Sequence, residues 1–160
     1  MTDQAGAGRQ LDEDGLRDFF DAQRASRNCA DLPRPLVIVA GLHLPVNAGM
    51  ILRVADAVNC RAVWFVDVDY PDSRRMRREM RTASRMMSDQ LPNEFISLDA
   101  LRDRLPDTGP LVAVEITSAS TDLYRTSLPP QAAFVVGHER HGIPGPVLEL
   151  CVQAVHLPML

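Results

Sequence analysis

Lysine is absent from the chain: all 17 of its basic residues are arginine. A GC-rich coding sequence, which favours arginine codons, accounts for most of that bias. Long apolar runs are absent too. None approaches the roughly 18 residues of a membrane span, and the polar, acidic opening MTDQAGAGRQLDEDG excludes a secretory signal. Cysteine is scarce: Cys29, Cys60 and Cys151 are odd in number, widely spaced and form no C-x-x-C pair. Such spacing argues against a disulfide framework and against a zinc site, and makes a reducing cytoplasm the simplest home. Neither a G-x-G-x-x-G nor a phosphate-loop signature occurs.

What is present reads as one globular domain. A length of 160 residues encloses a single core but not two, and 46% hydrophobic with 24% charged residues is ordinary for a soluble fold. The net charge of -4 does not point to nucleic acid, yet it hides an asymmetry. Arg74, Arg75, Arg77, Arg78, Arg81 and Arg85 crowd one short stretch, and such a cluster can hold phosphates even in an acidic protein.

Residues 1–31 read as a polar leader, disordered at first, with Leu16, Phe19 and Phe20 at helical spacing over Gly15–Ala25. Pro33 and Pro35 open the core domain, 32–160. There the chain alternates. Leu36–Ala40, Ala62–Val66, Glu94–Ser97, Leu111–Ile116, Ala132–Val136 and Val152–Leu157 read as strands. Asn47–Val58 and Leu98–Leu105 read as helices, Gly145–Cys151 as a helical turn, and Arg74–Met87 as either a helix or a mobile loop. Strands apolar on both faces and separated by helices predict an α/β domain with a mainly parallel sheet.

In such sheets ligands bind at the carboxyl ends of strands, so the loops there carry the functional reading. The first, Gly41 to Arg53, holds Asn47 near a helix start, Gly49, which allows close backbone approach, and Arg53. Asn47 reads as a helix cap or a site residue, and Arg53 as an ion pair with Asp56 or a more distant acid, or as a catalytic cation. A second loop, Gly137-His-Glu-Arg-His-Gly142, is a tight turn or a main-chain seat for an adenosine-type ligand. Its histidines stand three apart rather than four apart on a helix, so it is not a zinc-protease motif.

Taken together, the loops resemble a known family. Pro45-Val-Asn47-Ala-Gly49-Met-Ile-Leu-Arg53-Val-Ala-Asp56 resembles motif 1 of the SpoU/TrmH branch of the SPOUT RNA methyltransferases. Phe134-Val-Val-Gly137-His-Glu139-Arg-His-Gly142-Ile resembles motif 2, and Val155-His-Leu157-Pro158-Met159 the opening of motif 3. The stretch Val112–Leu123, with Glu115-Ile-Thr, resembles what precedes motif 2. The resemblance spans Leu36 to Leu160. His138 stands where the family often has Asn or Ser. Asn59 stands where Gly often ends motif 1, and Asn tolerates the left-handed conformation.

That resemblance implies a trefoil-knot α/β domain, usually a homodimer, which binds S-adenosylmethionine and methylates a ribose 2′-hydroxyl of tRNA or rRNA without a metal. Motif 3 breaks off early, so the domain is expected to lack its C-terminal end and the knot to be incomplete. The alternative is a catalytically inactive RNA-binding or dimerisation remnant of the family. By the same resemblance Arg53, Asn47 and Glu139 are the catalytic group, and Thr117, Gly137, Gly142, Leu157 and Met159 supply cofactor contacts. A guanidinium, with a pKa above about 12, is unsuited to be a free base; holding phosphate and stabilising the developing oxyanion suits Arg53 better. The six clustered arginines read as an RNA contact or as a solvated face paired with Asp72, Glu79 and Asp89.

Overall fold

The computed structural model describes residues 10–26, 33–68 and 73–159. The expected disorder of the first residues, Cys29 and the acid Asp72 lie outside these. The chain divides into two compact units, residues 1–33 and 34–160. In the first, helix α1 runs Glu13–Ser26, and Asp12 accepts the Gly15 amide at 2.9 Å, in the manner of a cap.

The second unit alternates strands and helices. In chain order these are β1 (Leu36–Ala40), α2 (Pro45–Ala57), β2 (Ala62–Val66), α3 (Arg74–Ala83), β3 (Asn93–Ile96), α4 (Leu98–Asp103), α5 (Leu105–Thr108), β4 (Leu111–Val114), β5 (Thr121–Asp122), β6 (Ala133–Val136), α6 (Gly145–Leu148) and β7 (Gln153–His156). The strands form one seven-stranded sheet in the order β3-β2-β1-β6-β4-β7-β5, and every pairing is parallel.

Period-two alternation explains why the sheet needs helices on both faces. Leu36, Ile38 and Ala40 of β1 join Trp64 and Val66 of β2 in one core with Leu101 of α4 and Val147 of α6. Val39, Val63 and Phe65 point the other way, into a core with Ala48, Leu52 and Ala55 of α2 and Met80 of α3. Each large side chain so enclosed stabilises the fold by about 1.5–3 kcal/mol.

Local chemistry sets the boundaries. The helix expected over Leu98–Leu105 is two, because Pro106 has no amide to donate back to Arg102 and a new turn starts at Leu105. The Arg74–Met87 stretch is helical up to Ala83, capped by Ser73 Oγ, which accepts the Met76 amide at 3.1 Å. Arg85 (φ 50) and Met86 (φ 69) then reverse the chain. Asn59 adopts the left-handed φ of 61 that its place after α2 suggested. Among the described residues no helix is long and apolar enough to cross a membrane.

Candidate functional site

A parallel sheet delivers all its strand carboxyl ends to one rim. The strand order places β6 beside β1, β4 beside β6 and β7 beside β4. The loops after these four strands, far apart in sequence, therefore stand side by side.

The loop after β6 closes on itself. The His138 amide donates to the Gly142 carbonyl at 3.0 Å, and the Gly142 amide returns to the His138 carbonyl at 2.8 Å. A Cβ on Gly137 would run into the main chain of Gly142 and Ile143, and Gly142 itself has φ +68 with the Glu115 carboxylate against it. Glycine is required at both positions. Inside the loop the Arg140 amide donates to His138 Nδ1 at 2.9 Å, which leaves the neutral ring's proton on Nε2. The His138 ring also meets those of His43 at 4.5 Å and His141 at 4.8 Å.

Asn47 and Glu139 are brought together: Asn47 Nδ2 donates to Glu139 Oε1 at 3.2 Å across 92 residues of sequence. Capping is not the role of Asn47. The cap position is Leu44 and Pro45 starts the helix, so Asn47 lies inside the first turn with its side chain free to cross. The Glu139 carboxyl is held below its ordinary value, chiefly by its own backbone amide. Desolvation acts against this, and His138, Asn47 and His43 add smaller contributions in the lowering direction.

Arg53 is not joined to that pair. It lies six residues further along α2, about 9 Å up the axis and about 120° round it, and is exposed. Among the described residues the Arg53 guanidinium has no hydrogen bond or ion pair, so the pairing with Asp56 or a more distant acid does not form. Between Asn47 and Arg53 runs a bare apolar stripe, Val46, Met50 and Val54, with Val54 62% exposed. The close approach that Gly49 permits is to α3, since a Cβ there would sit 2.6 Å from the Ala83 Cβ and 2.9 Å from the Ser84 amide nitrogen.

Glu115 is the residue that sequence reasoning did not single out. Its Oε2 accepts the Ile143 amide and its Oε1 the Ile116 amide, each at 3.0 Å. It thus ties the end of β4 to the loop after β6. Beside it opens a cleft of about 380 Å³ lined by Thr117, His141, Gly142, Ile143 and Leu148. Thr117 and Gly142 of the expected cofactor set line this cleft, while Gly137 lies behind, folded against Gly142. Leu157 and Met159 stand outside it beyond β7, 51% and 85% exposed. Ser120 braces the rim: its Oγ accepts the Thr117 amide at 3.1 Å and lies 3.1 Å from His156 Nδ1 on β7.

The arginine cluster divides by helix phase. Arg74, Arg77, Arg78 and Arg81 fall along one side of the helix, next to the side that buries Met76 and Met80. Arg75 points elsewhere and pairs with Glu79 at 2.9 Å, and Arg81 pairs with Asp89 at 2.8 Å. Arg85 lies past the helix.

Comparison with known proteins adds the following. The model of the SpoU rRNA Methylase family matches residues 34–160. An uncharacterized tRNA/rRNA methyltransferase of Synechocystis is 26% identical over 123 residues, 76% of this chain and 44% of that protein. The 23S rRNA (guanosine-2′-O-)-methyltransferase RlmB of Neisseria meningitidis is 28% identical over 152 residues, 91% of this chain and 60% of that one. The chain thus spans about half the length of the relatives it matches. Among solved structures, an RNA 2′-O ribose methyltransferase matches with TM-score 0.66 and 28% identity, over 80% of this chain and 48% of that one. An AdoMet-bound rRNA methyltransferase from Sinorhizobium meliloti matches in fold, with TM-score 0.68 and 19% identity over 79% and 48%.

Proposed function

We propose, from the premise that the chain belongs to the SpoU rRNA Methylase family, that it takes part in S-adenosylmethionine-dependent methylation of a ribose 2′-hydroxyl in tRNA or rRNA. The observation that carries this reading is the Asn47–Glu139 hydrogen bond, made by the loop whose Arg140, His141 and Gly142 line the cleft. The family resemblance assigned those two residues to one catalytic group from motifs 92 positions apart.

The cleft suits the methyl donor. Its volume falls within the roughly 300–1,000 Å³ of small-molecule sites. The Gly142 carbonyl, which accepts once within its loop, keeps a second lone pair, and the Thr117 hydroxyl, which accepts the Ala119 amide, keeps its proton to donate to an adenosine, while Ile116 and Leu148 offer apolar surface. S-adenosylmethionine, when bound, supplies the electrophilic methyl group. The chain's own residues then prepare the nucleophile. Glu139, kept ionised, orients Asn47, and Arg53 holds a phosphate of the RNA and stabilises negative charge on the ribose oxygen. The proton leaves to phosphate or solvent.

The bare stripe of Val46, Met50 and Val54 between Asn47 and Arg53 supports a homodimer through α2, since apolar patches of this kind mark association surfaces. The widely spaced cysteines and the RNA substrate support a cytoplasmic home.

The test is calorimetric titration of S-adenosylmethionine into this chain, followed by methyl transfer to tRNA and rRNA. Binding in the micromolar range, about −8 kcal/mol, is the expected result. A folded chain that binds none overturns the cofactor assignment.

A further inference from the structure

The loop after β6 places a cation on the cleft beside Glu115. Arg140 lines that cleft together with Glu115, Ile116, Thr117 and Leu148. Its main chain is fixed: the Arg140 amide donates to His138 Nδ1 at 2.9 Å, inside a loop closed by the two hydrogen bonds between His138 and Gly142. The guanidinium, by contrast, is exposed, and among the described residues it has no hydrogen bond or ion pair. The neighbouring carboxylate of Glu139 is engaged by Asn47 at 3.2 Å. The same cleft carries a negative group. Glu115 accepts the Ile116 and Ile143 amides, one on each oxygen, and each oxygen keeps a lone pair. A cleft with an unpaired guanidinium, a carboxylate, and apolar surface from Ile116 and Leu148 matches a small ligand that is apolar in part and carries both charges.

We propose that Arg140 selects S-adenosylmethionine by its amino-acid end, holding the α-carboxylate in the fork of the guanidinium. The proposal rests on the cofactor reading given above and adds to it a specificity-determining side chain. A guanidinium stays charged at any working pH and presents paired N–H donors that match a carboxylate. Because the Arg140 main chain is already fixed, only its side chain has to be ordered on binding. Glu115 leaves lone pairs for the ammonium that accompanies that carboxylate. An RNA phosphate is the competing partner for an exposed arginine. The Glu115 carboxylate on the same cleft opposes a ligand that brings negative charge alone, and favours one that brings both signs.

The experiment is calorimetric titration of the full chain with S-adenosylmethionine and with its decarboxylated form, which keeps the adenosine, the sulfonium and the ammonium. The variants are Arg140→Gln and Arg140→Lys, each checked for folding by circular dichroism. Wild type prefers the intact compound about fivefold, the strong end for an exposed ion pair. Arg140→Gln abolishes that preference. It binds the decarboxylated form at least as well as wild type does, because the lost cation no longer repels a doubly positive ligand. Arg140→Lys, which keeps the charge without the fork, retains part of the preference. A preference that persists in Arg140→Gln overturns the proposal. So does an equal loss of both compounds, which would make Arg140 a loop-ordering residue. An Arg140→Gln chain that keeps the preference but binds a labelled oligoribonucleotide more weakly also overturns it, and assigns the arginine to phosphate. If wild type binds both compounds equally, this proposal alone falls. If it binds neither, the cofactor assignment falls and takes this proposal with it.

Discussion

Replacing Glu115 by glutamine is a direct test of how the cleft is held open. The carboxylate accepts two main-chain amides, from Ile116 and from Ile143, each at 3.0 Å. Glutamine has one carbonyl oxygen and one NH2 group, so one amide must face a donor instead of an acceptor. A hydrogen bond to a charged group contributes about 1.5–3 kcal/mol. Glu115 is only half-buried, so the lower end applies, about 1.5 kcal/mol or a factor of about ten in the opening equilibrium. The Ile143 bond spans 28 residues and fastens one loop to another, whereas the Ile116 bond is local and readily replaced by water. Amide hydrogen exchange followed by NMR should therefore accelerate about tenfold at Ile143, and S-adenosylmethionine should bind about tenfold more weakly, because the loop must be ordered on binding. Core amides of β1 and β2 should keep their protection. Unchanged exchange at Ile143 would refute the reasoning whatever happens to binding.

Three further outcomes follow from the same geometry. Arg53→Lys keeps the charge but loses the planar fork, so methyl transfer should drop by about 10²-fold or more; an unaltered rate removes Arg53 from the mechanism. Met50→Glu places a charge in the middle of the bare α2 stripe, and analytical ultracentrifugation should find it monomeric at concentrations where the wild type is dimeric. A wild-type monomer would exclude the α2 dimer. Burial pushes the Cys151 thiol up to about 11. At pH 8 only about one thiol in a thousand is ionised, against about one in four for an ordinary thiol near 8.5. Iodoacetamide should thus label Cys151 about two hundred times more slowly, read by peptide mapping. Since the unfolded thiol ionises first, its contribution to stability is intact below about pH 8.5 and declines as pH climbs toward 11.

The alternation of strands and helices was legible because strands covered on both faces are apolar throughout, and Leu36–Ala40 and Ala62–Val66 were delimited to the residue. β5 was not. Two residues carry no period, and Thr121–Asp122 is a strand only because β7 lies alongside. Asn47 suggested a cap since capping depends on where the first turn starts, and Pro45 moved that start ahead of it. Gly49 announced a close approach without naming the partner, which is α3. Glu115 carried little signal: a lone carboxylate closing an apolar strand has no spacing signature, and its distant partner is a main-chain amide, which no side chain advertises. The sorting of the arginines by side of the helix needed the helix phase, and thus the cap at Ser73.

The strand order also dictates how the domain must be made. β1 and β2 can pair as soon as they are synthesised, but the other edge of β1 waits for β6: Val37 pairs with Phe134 and Val39 with Val136. At roughly 5–20 residues per second of translation, that edge stays open for about 5–20 s. It presents Val37, Ile38 and Val39, a β-branched template of the kind that recruits foreign strands. The half of the sheet made first therefore keeps an open edge until residues 133–136 arrive, and the rim that unites Asn47 with Glu139 exists in no nascent chain that lacks β6. Closure of the β1 edge and the meeting of Asn47 with Glu139 thus come in the same step.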